Sequence, residues 1–179
     1  MMTIEEFCYK HEADDKFKEW SKRYSSMSEL WEGGDDWEKL VWTATRKGMM
    51  NKKDSRLFCC WCARQMWHKL DDESKKAVEV SERYAVGEAN KEELEKAREY
   101  VCDAAWKISE DDNNRVAKSV AWCVTDAVCN DARQASFFMI QFTVVETVGK
   151  VSKVSKDEIR NIVEEAQVEY LRKNCKVKV

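Results

Sequence analysis

The chain of 179 residues contains no proline, five glycines and two histidines. Turns are built mostly from Gly, Pro, Asn and Asp. A chain this poor in the first two does not suit the many tight reversals of a sandwich or barrel, and long helices are favoured. The missing proline also excludes collagen-like and Pro-rich linker classes. Neither charge sign prevails: 31 Lys and Arg stand against 34 Asp and Glu, a net charge of −3. A polycation or a polyanion mimic is thereby excluded. The longest apolar stretch, Ala135–Val148, is broken by Gln141, Thr143 and Glu146 and is too short for a bilayer span. The first residues lack the basic and apolar regions of a secretory signal. A soluble, cytoplasmic protein is therefore expected, and its eight cysteines are expected to be reduced thiols. G-x-x-x-x-G-K-[ST], G-x-G-x-x-G, G-x-S-x-G and H-E-x-x-H are all missing from the sequence. The reading is of a non-enzyme that takes no cofactor.

What is present is helix punctuation. Hydrophobic residues make up 44% of the chain and aromatics 11%, too much for global disorder. Thr3-Ile-Glu-Glu6 and Ser155-Lys-Asp-Glu158 read as capping boxes, in which a hydroxyl and a carboxylate each satisfy an orphan N–H of the first turn. Asp54 reads as the cap of a helix running to Leu70, whose segment 57–63 is apolar on all sides and belongs at a bundle centre. Asp111–Asn114 is the clearest break. Residues 137–148 are β-branched and aromatic, but no second strand-like run exists to pair with them, so helix is preferred to strand. All five glycines fall at or near proposed helix ends, Gly149 among them. The last residues, Cys175–Val179, read as frayed. The expected fold is an all-α, compact bundle of about seven to eight helices. It has a first region 1–110 and a C-terminal region 115–179 packed on it as one domain.

Cys59-Cys60-Trp61-Cys62 holds a C-x-x-C. Cys59 and Cys62 share a helix face, which offers two thiolates where a structural zinc wants four ligands. The pair lies well inside its helix, away from the N-terminal dipole that lowers a thiol pKa. Core packing is the favoured reading, with a zinc or thiol site at Cys59 and Cys62 as the alternative. Arg64, Gln65 and His68 form a polar stripe on the same segment and are expected to make an inter-helix network in the core.

Two charged sets stand out. Residues 150–179 carry eight basic residues against five acidic ones, including Lys150, Lys153, Lys156, Arg160, Arg172 and Lys173. They are a candidate nucleic-acid contact, with a solvated helix face as the plainer reading. The region around Trp31 and Trp42 is acidic, with Asp35, Asp36 and Glu38. Trp20, Trp37, Trp61, Trp67, Trp106 and Trp122 lie on apolar stripes and read as core. Trp31 and Trp42 fit less well, so an exposed indole near Asp35, Asp36 and Glu38 is a candidate protein-binding anchor.

Four stretches carry a resemblance. They are Glu6–His11, Trp37–Gly48, Arg56-Leu-Phe-Cys-Cys-Trp-Cys-Ala-Arg-Gln65 followed by His68, and Ala77–Arg83 leading to Gly87 and Lys91–Leu94. Their content and spacing resemble a family of uncharacterised phage and prophage helical proteins over residues 4–106. Residues 107–179 are richer in Val, Lys and Asn than that family and depart from it. The resemblance implies a helical, phage-associated protein in the host cytoplasm and supplies no catalytic residues. It leads to the expectation of a protein that binds and modulates a host protein or ribonucleoprotein. An inhibitor of a bacterial defence system, such as an anti-CRISPR protein, is the specific form.

Overall fold

The computed structural model describes residues 2–109, 115–148 and 155–179. Ten α-helices and one 3₁₀ turn are found among the described residues, and no strand. They are α1 (Ile4–Lys10), α2 (Asp15–Ser21), α3 (Met27–Gly33), α4 (Trp37–Ala44), α5 (Lys52–Arg64), the 3₁₀ turn Trp67–Lys69, α6 (Asp72–Val86), α7 (Lys91–Ser109), α8 (Arg115–Cys129), α9 (Ala132–Val148) and α10 (Lys156–Asn174). The fold is all-α, but ten helices replace the expected seven to eight.

The extra helices come from local capping near the N-terminus. Thr3, Asp14, Ser26 and Asp36 each accept a backbone N–H three residues on, so each starts a separate short helix. Both capping boxes form as the sequence predicts, at Thr3/Glu6 and Ser155/Glu158. Gly87 ends α6 at φ 84, a left-handed conformation that L side chains rarely adopt. At Gly34 a Cβ would lie 2.5 Å from the Leu30 carbonyl oxygen, so the α3–α4 corner requires glycine for space.

Three local expectations change. Asn51, not Asp54, caps α5: its side-chain oxygen accepts from the Asp54 N–H at 2.8 Å. The helix then stops at Arg64, and His68 lies in the separate 3₁₀ turn that follows. The C-terminal residues are not frayed: Lys178 N donates to the Met49 carbonyl at 2.8 Å and Lys176 N to Asp54 Oδ2 at 2.8 Å. Residues 137–148 are helical, within α9. The Asp111–Asn114 break and Gly149 lie outside the described residues.

Helix α5 occupies the centre. Phe58, Cys59, Cys60, Cys62 and Ala63 are fully buried, as an all-round apolar helix requires. It packs against α6, α8, α9 and α10, while α10 also packs on α4. Buried side chains from Phe7 to Leu171 form one continuous cluster. An aromatic group knits the N-terminal helices, with Trp42 4.7 Å from Phe17 and 5.6 Å, edge-on, from Phe7.

Candidate functional site

The acidic set and one member of the basic set, Arg160, meet in one place. An open cleft of about 610 Å³ lies where α4 packs on α10. Asp35, Asp36, Trp37 and Glu38 line it from the α4 side, and Asp157, Arg160 and Glu164 from α10. Trp20 and Arg23 also line it.

The five carboxylates of the cleft differ in what they touch. Asp35 accepts from Arg23 Nη1 at 3.1 Å and from the Trp20 indole N–H at 3.1 Å. Arg23 and Trp20 hold its carboxyl well below the usual carboxylate range. Asp36 caps α4 through the Lys39 N–H at 3.1 Å and pairs with the Lys39 ammonium. Glu38 and Asp157 have no ion pair among the described residues and are exposed. Glu164 is the unusual one. It is 5% exposed, yet it has neither a hydrogen bond nor an ion pair among the described residues. Burial, with Glu38 and Asp36 adding to it and Arg160 opposing it, pushes its carboxyl up to about 7.

Glu164 escaped the sequence reading. Ile159, Ile162, Val163, Ala166, Tyr170 and Leu171 are helically spaced and read from the sequence as one apolar stripe, but Ile162 is 63% exposed. The buried face instead carries Ile159, Val163, Glu164, Gln167, Val168 and Leu171. Two polar residues therefore sit on it. Gln167 is satisfied, since its Oε1 accepts from Ser136 Oγ at 2.8 Å and its Nε2 donates to the Ser136 carbonyl at 3.2 Å. Glu164, nearly one turn away, has no protein partner among the described residues, and its carboxylate end opens to the cleft.

The other predicted residues scatter. Trp31 is buried, not an exposed anchor, and its carbonyl accepts from Arg172 Nε at 3.1 Å. Trp42 is half-buried in the aromatic group, with Arg46 4.7 Å from its ring centre. Arg172 is thus engaged with Trp31, and its guanidinium lies 5.9 Å from the Trp37 ring. Lys156 and Arg160 stand at the opposite end of α10 from Arg172 and Lys173, so these four make no single basic patch. Lys150 and Lys153 lie outside the described residues.

Arg64, Gln65 and His68 do not form a core network. All three are exposed. Arg64 pairs with Glu82 of α6 at 2.5 Å, Gln65 Nε2 donates to its own helix at the Trp61 carbonyl, and His68 packs edge-on to Phe142. The end of α5 at Arg64 turns the stripe outward.

Cys59 and Cys62 are fully buried, and burial raises both thiols well above their usual range. Cys60 is pushed up to about 12. Among the described residues no group of three or more His, Cys, Asp or Glu side chains is placed to hold a metal ion. Asp126 of α8 lies beside these thiols. Burial pushes it up to about 7, and its Oδ2 has no hydrogen-bond partner.

Two further surfaces were not anticipated. Trp106, expected in the core, is 65% exposed. It meets Trp122 edge-on at 5.7 Å, and Trp122, Phe138 and Phe137 continue the row across α8 and α9. A groove of about 1090 Å³ lies between α1 and α2, with Ile4, Cys8, Tyr9 and Ala13 beside charges of both signs. The buried Ser21 hydroxyl within it is spent on the Lys18 carbonyl.

No family model, curated protein or solved structure matches the chain. Among the described residues no helix is long and apolar enough to cross a membrane.

Proposed function

We propose that this chain is a non-enzymatic helical binding protein that acts by occupying the surface of a basic host protein. The observation that carries the reading is the cleft between α4 and α10, where Glu38, Asp157 and Glu164 face Arg160 alone once Asp35 and Asp36 are paired off. Such a face attracts a positive surface, speeds encounter and penalises acidic partners. The resemblance of Arg56–Gln65 to phage-type proteins directs the reading toward a bacterial defence factor, whose nucleic-acid-binding groove is positively charged. Blocking such a groove makes the protein an anti-defence inhibitor of the anti-CRISPR kind.

The test is phage plating on hosts with a single active defence nuclease, with and without this chain. At least one system is expected to show restored plating. The charge-reversed double variant Glu38→Lys/Asp157→Lys is expected to lose the effect while remaining helical by circular dichroism. Unchanged plating against every system rejects the defence reading.

A further inference from the structure

We propose that the α4–α10 cleft is a socket for one arginine side chain of a basic protein partner, with Glu164 receiving the guanidinium beside Trp37. This rests on the reading of the cleft as the binding face. A carboxylate that is nine-tenths buried without a partner is costly. Glu164 is 5% exposed and makes no hydrogen bond or ion pair among the described residues, and its carboxylate end faces an open cleft rather than a sealed void. The cleft therefore supplies an acceptor and leaves the donor to come from outside.

The donor's chemistry follows from what surrounds that acceptor. A point ion is poorly served, because among the described residues no three carboxylates, thiols or imidazoles are placed to hold a metal. A planar, spread cation is well served. It accepts bidentate pairing to a carboxylate and stacks on an indole, which an ammonium does less well. The protein uses this arrangement in the same cleft: Arg23 lies 5.8 Å from the Trp20 ring centre and donates to Asp35. Arg46 on Trp42 and Arg64 on Trp67 repeat the stacking. In the same cleft Trp37, Glu38, Asp157 and Glu164 supply an indole and carboxylates; Arg172 lies 5.9 Å from the Trp37 ring and Arg160 lines the cleft, but neither makes an ion pair with Glu164.

Arg160 is the internal competitor. It precedes Glu164 by four residues on α10, in the order that pairs less well on a helix, and it makes no ion pair with Glu164 within 4.0 Å. Its presence sets the affinity of the socket without filling it.

The experiment titrates Nα-acetyl-arginine methylamide into the full ¹⁵N-labelled chain and follows the indole N–H signals of Trp20 and Trp37. The citrulline analogue, neutral and similar in shape, and the lysine analogue are run beside it. Saturable shifts with the arginine probe are expected, at least about tenfold weaker binding for lysine, and none for citrulline. Glu164→Gln is expected to weaken binding at least about tenfold, Glu164→Asp to restore part of it, and Arg160→Ala to tighten it. Equal binding of arginine and citrulline, or wild-type affinity in a folded Glu164→Gln chain, overturns the proposal. Absent arginine binding together with a phage-plating effect still sensitive to Glu38→Lys/Asp157→Lys overturns the socket alone. Arginine binding without any plating effect overturns the defence reading alone.

Discussion

The interior of α5 and the cleft beside α10 both gather chemistry-bearing residues, with opposite outcomes. In α5, three thiols are fully buried, with Asp126 and Ser81 among their neighbours, and their raised pKa values follow chiefly from burial. Such thiols are protonated at neutral pH, poor nucleophiles and poor ligands. In the cleft, a carboxylate of similar burial opens toward solvent between other carboxylates. Burial alone therefore does not mark a site. What marks it is a buried side chain without a protein partner whose polar end opens into a cleft.

The sharpest way to break the comparison is to remove the centre of the first region. Phe58→Ala leaves a cavity where exposure is 0% and is expected to destabilise the fold by about 3–5 kcal/mol in chemical denaturation. A loss under about 1 kcal/mol means that α5 is not the centre of the core. The next largest effect separates the two buried polar residues of α10. Gln167→Ala strips the partner from Ser136 and is expected to cost about 2 kcal/mol.

Glu164→Gln should do the reverse, with a definite pH sign. The folded-state pKa of Glu164 is raised from 4.5 to about 7. Below about pH 4 the group is protonated in both states and imposes no penalty. As pH rises toward 7 the unfolded chain ionises first, so stability falls across that window. Glu164→Gln is therefore expected to match the wild type near pH 4 and to exceed it at pH 8. The expected gain is about 1 kcal/mol, discounted for the solvent that reaches the cleft. A variant less stable than the wild type at pH 8 means that the carboxylate has a partner. The smallest effect in free energy is kinetic: Cys59, Cys60 and Cys62 are expected to resist thiol reagents in the native chain while the exposed Cys129 reacts. Rapid labelling of Cys59 or Cys62 removes the sealed-core description.

Much of the fold was legible because caps are local. Thr3, Ser155 and Gly87 act where their residue types predict, since each satisfies backbone groups within one turn. The all-α class and the central place of 57–63 followed from period and composition. The site was legible only in pieces. Asp35, Asp36 and Glu38 were singled out, but the indoles expected beside them, Trp31 and Trp42, are packed inward. Glu164 carries no local mark that separates it from the exposed Glu165 beside it, and the apolar Ile162 on the same helix is exposed. Which face of α10 is buried depends on α4 and α9, more than a hundred and about twenty residues away in sequence, and no local pattern reports that. Trp106 was misplaced for the same reason: a stripe on a helix gives a face, not the depth of its neighbours.

The most direct measurement is the carboxyl titration of Glu164 by ¹³C NMR in the full chain, with and without Nα-acetyl-arginine methylamide. A buried, unpartnered acceptor predicts an apparent pKa near 7 that falls when the probe binds. An ordinary titration near 4.5 that the probe leaves unmoved contradicts the account.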